Sequence, residues 1–159
     1  MLRFSHANLA FFSGLLWLCI GVFLMRTGLN LLIEPQMGAH PLIDFFQNIV
    51  GGKVAASIIV AAIALYVGFL KGKFVLRKTA AKGIARIQSL PNPAPLYAVY
   101  GWKYLMLLAG MILLGVSFSR FGLNTDIRGA IDLAVGSALI SGALCYLRSG
   151  WELRKVTVS

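Results

Sequence analysis

Two arginines stand at matching places in a ten-residue pattern that occurs twice in the chain. Residues 21–30 read GVFLMRTGLN and residues 115–124 read GVSFSRFGLN. The polar residues that correspond are Arg26 and Asn30 in the first copy and Arg120 and Asn124 in the second. Because a helix advances about 100° per residue, the arginine and asparagine of each copy share one side, and the two glycines share roughly the opposite side. Each copy therefore combines a guanidinium and an amide, which could bind a small anion, with a smooth face for packing.

Two carboxylates follow the second copy and complete a candidate polar site. Asp126 and Asp132 come within twelve residues of Arg120. Ionisable residues inside a membrane are functional candidates by default, so this set suggests a channel or transporter for a small, possibly anionic, solute. The alternative is structural. By the helical rise, Arg26 lies about 25 Å beyond Leu9, near the outer boundary of the hydrocarbon, where an arginine can snorkel to headgroups or form an ion pair.

The arginines interrupt a chain that is otherwise strongly apolar. Apolar residues make up 58% of it, charged residues only 13%, and the mean hydropathy is +0.81, whereas soluble domains average about 25% charged residues. Four continuous apolar segments, about 9–33, 54–71, 103–124 and 129–148, reach the length that a spanning helix needs. The sequence predicts an all-α integral membrane protein with four transmembrane helices, the first of which is a retained helix and not a cleaved signal peptide.

The repeat predicts how these helices are organised. A fixed shift of 77 residues also relates the small residues Ala64, Gly68 and Gly72 to Ser141, Cys145 and Ser149. Each repeat holds two helices, so the two hairpins run parallel about an axis along the membrane normal. The units are 1–90 (first hairpin and basic helix), 91–103 (Pro-rich linker and aromatic segment) and 104–159 (second hairpin and basic tail).

Charge predicts the orientation of the protein. Eleven of the fifteen basic residues lie before the first span, between the second and third spans, or after the fourth. By the positive-inside rule both termini are cytoplasmic, which means a multi-pass protein of the inner or plasma membrane in a bacterium. The net charge of +10 is explained by this topology, and nucleic-acid binding is not expected.

The connector after the second span predicts a basic amphipathic helix that continues this span or bends at Gly72. Its apolar residues recur at helical spacing. Its candidate lipid-binding residues are Lys71, Lys73, Arg77, Lys78, Lys82 and Arg86. Anionic lipid at the cytoplasmic face is the favoured partner, and an acidic protein or a phosphate-bearing ligand is the alternative.

Small residues on two adjacent stripes of the fourth span predict a central, closely packed helix. Ser137 and Ser141 lie on one stripe and could instead line a polar path. The loop 34–53 predicts a short interfacial helix hinged at Gly51 and Gly52, which could be a lid or could rest on lipid. A four-helix unit is small for enclosing a path, so we expect a homo-oligomer.

The sequence contains none of the familiar catalytic constellations. It has no metal-binding pattern and no phosphate-cradling loop, so we expect no cofactor, no metal and, on balance, no enzymatic activity. His40 and Asp44, four apart, are the one pair that could act together. Beside a channel or transporter, two functions remain open: a non-catalytic membrane scaffold or assembly factor that binds partners or anionic lipid through its connector, and a lipid-modifying enzyme.

Overall fold

The fold is helical apart from one short pairing of two strands. The computed structural model describes residues 3–33, 40–90, 94–95 and 124–158. In chain order the elements are β1 (Arg3–Phe4), α1 (His6–Ile33), α2 (Pro41–Val50), α3 (Lys53–Lys71), a π-helical segment (Gly72–Leu76), α4 (Arg77–Ser89), β2 (Ala94–Pro95) and α5 (Thr125–Val158). The two strands pair antiparallel, with Arg3 opposite Pro95.

Three of the helical stretches are long and apolar enough to cross a membrane. They are His6–Ile33, Lys53–Ser89 and Thr125–Lys155, and they contain the predicted first, second and fourth spans. The predicted third span, 103–124, lies outside the described residues except for Asn124, and so does the linker 91–103 except for Ala94 and Pro95. The helical membrane class is therefore confirmed, whereas the number of spans and the repeat stay predictions.

Helices α1 and α5 run antiparallel with their backbones in contact. A Cβ added to Gly28 would lie 2.6 Å from the backbone oxygen of Gly129, and one added to Gly136 would lie 2.7 Å from that of Gly21. We call these close contacts the glycine seam; it comprises Gly14, Gly21 and Gly28 of α1 and Gly129, Gly136 and Gly150 of α5. Helices in lipid associate through such close packing, so the predicted packing role of the Gly21/Gly28 face is confirmed.

Helix α3 packs on another side of α5 and runs parallel to it. A Cβ on Gly68 would collide with Ser137 and Ala134, and one on Gly72 would lie 2.9 Å from Ala138. Contacts advance in the same direction along both helices, as two parallel hairpins require. Because α5 contacts α1, α2, α3 and α4, the predicted central position of this helix is confirmed.

The basic connector continues α3 and folds back onto the bundle. The π-helical segment leads directly into α4, as the sequence predicted. Ala80 and Ile87 of α4 are fully buried in a cluster with Leu9, Ala10 and Tyr146. At its end, the ring Nε2 of His6 lies 3.0 Å from the carbonyl oxygen of Leu90. The apolar side of α4 is therefore covered by α1 and α5. It is not available for insertion into lipid, as a surface-lying amphipathic helix would require.

Candidate functional site

Asp126 holds the start of α2 against α5. Its side chain is fully buried, and Oδ2 accepts hydrogen bonds from the backbone N–H of Leu42 at 2.6 Å and of Ile43 at 3.3 Å. The first N–H groups of a helix have no partner within the helix and need an acceptor. The residue at the N-cap position, His40, makes no capping hydrogen bond from its side chain. Asp126 therefore replaces the local cap from 83 to 84 residues away in sequence.

Neighbouring contacts reinforce this latch. The hydroxyl of Thr125 lies 3.3 Å from Nδ1 of His40, and Ile43 packs into a buried cluster with Leu32 and Leu133. At the other end α2 stops at Gly51, whose φ of 80° lies in the left-handed region that favours glycine. The predicted short helix and its glycine boundary are confirmed. We name the contacts of Asp126 and Thr125 with α2 the α2 latch.

The second predicted carboxylate, Asp132, has a different neighbour. Its Oδ2 lies 3.9 Å from Nε of Arg128, one helical turn away, and Asp132 is 8% exposed. Nε of Arg128 is itself buried, with no hydrogen-bond partner in the described part of the chain. At 3.9 Å the contact is an ion pair and not a hydrogen bond. The sequence prediction missed Arg128 because it counted this residue only as a loop charge.

Arg26 and Asn30 lie on the outward side of α1. Both are exposed, opposite the buried Gly21 and Gly28. Within the described residues Arg26 has no ion pair. Its predicted counterpart Arg120 lies outside them, while Asn124 is half-buried and its carbonyl oxygen accepts a 3.1 Å hydrogen bond from the N–H of Arg128.

The predicted polar site is thus divided among three directions. Asp126 points to α2. Arg128 and Asp132 follow it on α5 by two and six residues, which places them about 200° and 240° around the helix from Asp126. Arg26 faces away from α5 on the far side of α1. The described residues therefore do not bring Arg26, Asn30, Asp126 and Asp132 together into one cluster.

The serines of α5 bond to backbone carbonyls. The hydroxyl of Ser137 donates to the carbonyl oxygen of Ala134 at 3.0 Å, and that of Ser141 donates to that of Ser137 at 3.0 Å. Ser137 also lies 3.4 Å from the carbonyl oxygen of Leu65 on α3. These bonds satisfy the hydroxyls inside a close helix contact, which is the packing role and not a polar path.

The basic residues of the connector form one exposed surface. All six candidate lipid-binding side chains are exposed. We call them the basic ridge: Lys71, Lys73, Arg77, Lys78, Lys82 and Arg86. No ion pair within the described residues involves any of them; the two that occur there are Arg128–Asp132 and Arg148–Glu152.

The glycine contacts also fix the relative heights of charges along the bundle. Gly72 contacts Ala138 and Ser141, which lie on α5 between the residues that touch Gly21 and Trp17 of α1. Lys71 and Lys73 are therefore level with the middle of α1. By the helical rise, Arg26 stands only about 10 Å above them.

Comparison with protein-family models, with curated proteins and with solved structures finds no match for this chain. The case for a function therefore rests on the chain's own residues.

Proposed function

We propose that the protein is a non-catalytic membrane scaffold that binds anionic lipid headgroups through its basic ridge. One observation carries the proposal. The apolar side of α4 is buried against α1 and α5, while all six basic side chains next to it are exposed. Packing against the bundle holds this charged surface in one place, so it is pre-organised for binding.

The exposed charges suggest where the bilayer lies. Lys53 and Lys71 bound a charge-free stretch of 19 residues, which spans about 28 Å and matches a hydrocarbon core about 30 Å thick. This placement leaves two exposed charges inside the core, Arg26 and Asp44. A core beginning at Leu9 would instead enclose Lys71, Lys73, Arg77 and Lys78, and each costs roughly 2.5–3.5 kcal/mol at the centre on insertion scales.

The cheaper placement sets the ridge at the inner boundary. Lys71 and Lys73 lie at the edge of the hydrocarbon, and Arg86 lies farthest into the cytoplasm. Attraction to an anionic surface is worth about 1 kcal/mol per basic residue and falls off within a Debye length of about 8 Å. The residues nearest the boundary therefore contribute most, and the same charges orient both termini to the cytoplasm.

We expect Lys71→Gln with Lys73→Gln to weaken binding of anionic lipid by about tenfold, because each lost cation removes up to about 1 kcal/mol. The measurement is the relative association of spin-labelled phosphatidylglycerol over phosphatidylcholine with reconstituted protein. Lys53→Gln, at the other end of the same helix, is the matched control and should leave the ratio unchanged. Equal ratios for the wild type and the double variant would contradict the proposal.

The far end of the ridge separates lipid from a soluble partner. For lipid binding, Lys82→Gln with Arg86→Gln should have a smaller effect than the Lys71/Lys73 pair, because these residues lie farther from the headgroups. The same assay measures both pairs. A larger effect of the far pair would indicate an acidic soluble partner and contradict the lipid assignment.

Transport of a small anion is the second candidate, and the Arg128 side chain favours it. Its Nε is buried next to Asp132 without a hydrogen-bond partner among the described residues, so a small anion could supply the missing acceptor. Under this candidate, chloride flux into liposomes falls in Arg128→Gln and is unchanged in Lys53→Gln. Flux that is the same in Arg128→Gln, Arg26→Ala and Arg120→Ala as in the wild type would exclude these arginines from a pathway.

A further inference from the structure

Two charges of opposite sign are exposed inside the proposed hydrocarbon core. Arg26 stands about 10 Å above the level of Lys71. Asp44 follows directly after Leu42 and Ile43, which Asp126 fixes near the outer end of α1. Asp126 itself lies close to the level of Leu31 and Leu32, because the neighbouring Gly129 contacts both. By the same rise, Asp44 is about 8 Å above Arg26 and several ångströms below the level of Lys53.

Neither charge is neutralised within the described residues of its own chain. Arg26 and Asp44 are both exposed, and neither side chain has an ion pair or a hydrogen bond there. The other described carboxylates are engaged: Asp126 with α2, Asp132 with Arg128, and Glu152 with Arg148. An isolated charge facing hydrocarbon is costly, so a neighbour that offers the opposite charge at the same height is strongly favoured.

We propose that a second copy of this chain covers these residues, with Arg26 of one copy paired to Asp44 of the other. The offset of about 8 Å lies within the reach of an arginine side chain that extends toward the outer boundary. Twofold symmetry forms the contact twice, so both charges of both copies are paired. Exposed apolar side chains flank the charges on each side of this contact: Phe23 is 67% exposed on α1, and Phe45 is 62% exposed on α2.

Charge complementarity selects this arrangement over direct packing of α1 on α1. Two α1 helices facing each other through Arg26 would bring like charges together, which is destabilising. Cys19 lies seven residues before Arg26 on the same side of α1 and is exposed, so it reports on that alternative. The proposal shares the bilayer placement with the lipid-binding function but does not depend on the basic ridge.

Charge reversal tests the pair. Self-association is measured by energy transfer between copies labelled on the C-terminal tail and reconstituted in liposomes. Arg26→Glu and Asp44→Arg should each weaken self-association by about tenfold or more, since each places two like charges at both contacts. An equal mixture of the two variants should recover association, because each contact then holds one acid and one base.

Several results would overturn this proposal. One is a mixture that associates no better than either variant alone, while the helix content and thermal unfolding of each match the wild type. Self-association that both variants retain is another, and so is efficient Cys19–Cys19 disulfide formation on mild oxidation, which would indicate packing of α1 on α1. The variant Lys71→Gln with Lys73→Gln should associate like the wild type, so a failed lipid assay and a failed pairing are distinguishable.

Discussion

Replacing Gly28 by alanine is expected to force α1 and α5 apart and to lower the free energy of unfolding by about 1–3 kcal/mol. The added Cβ would lie 2.6 Å from the backbone oxygen of Gly129 and 2.8 Å from the backbone nitrogen of Leu133. Both neighbours are backbone atoms in a helix, so neither can move aside as a flexible side chain would. Gly136→Ala should act in the same way against Gly21.

The measurement is unfolding in mixed micelles followed by far-ultraviolet circular dichroism. Alanine is the better helix former by about 1 kcal/mol, so a helical glycine without close neighbours would be stabilised by this change. Gly52→Ala is the matched control, because nothing lies within 4 Å of its added Cβ and its φ is −155°. A Gly28→Ala protein as stable as the wild type or more stable would contradict the backbone contact.

Replacing Asp126 by alanine is expected to release α2 while the long helices stay assembled. The change removes the acceptor of two N–H groups at the start of α2, and helix caps contribute about 0.5–2 kcal/mol. Since α2 is only ten residues long, it cannot sustain itself without the cap and its packing. Asp126→Asn retains a carbonyl oxygen in the same place and should preserve much of the contact.

Cysteine reactivity measures this release. Ile43 is 6% exposed and Phe45 is 62% exposed. A cysteine at 43 should therefore react slowly in an otherwise wild-type chain and at least about tenfold faster with Asp126→Ala, in line with the loss of roughly 1–2 kcal/mol. A cysteine at 45 should react alike in both. If the cysteine at 43 stayed protected after Asp126→Ala, the α2 latch would not be what holds the helix.

Patterns along single helices predicted much of the fold. The apolar runs identified the three described spans, because hydrocarbon requires long uninterrupted helices. The heptad spacing of Gly21 and Gly28 identified the packing face of α1. Small residues on two stripes of the fourth span predicted a helix with neighbours on several sides, and α5 has them.

Relations between helices could not be predicted in this way. The cap that Asp126 provides for α2 joins residues 83 to 84 apart, and the sequence offers only an indirect signal, namely that His40 is a poor N-cap. The height of Arg26 relative to Lys71 depends on how α3 is shifted along α5, which no spacing within one helix reveals. Counting from Leu9 alone placed Arg26 near the outer boundary, whereas the glycine contacts move it toward the inner one.

The repeat also does not extend to the glycine seam. At the shift of 77 residues, the positions of Gly136 and Gly150 correspond to Ile59 and Lys73. A bulky residue and a charge cannot form the same close contact. Helix α5 is therefore specialised as the packing centre in a way that α3 is not.

The depth of Lys71 tests the account most directly, because the lipid-binding ridge and the buried charge pair both depend on it. The measurement is the reactivity of single cysteines at Tyr66, Phe69, Phe74, Lys78 and Lys82 toward a membrane-impermeant maleimide added from the cytoplasmic side. All five native residues are exposed on the bundle, so differences report the surrounding medium. We predict unreactive cysteines at 66 and 69 and reactive ones at 74, 78 and 82. Protection that persists through 82 would place the basic ridge inside the hydrocarbon and contradict the account.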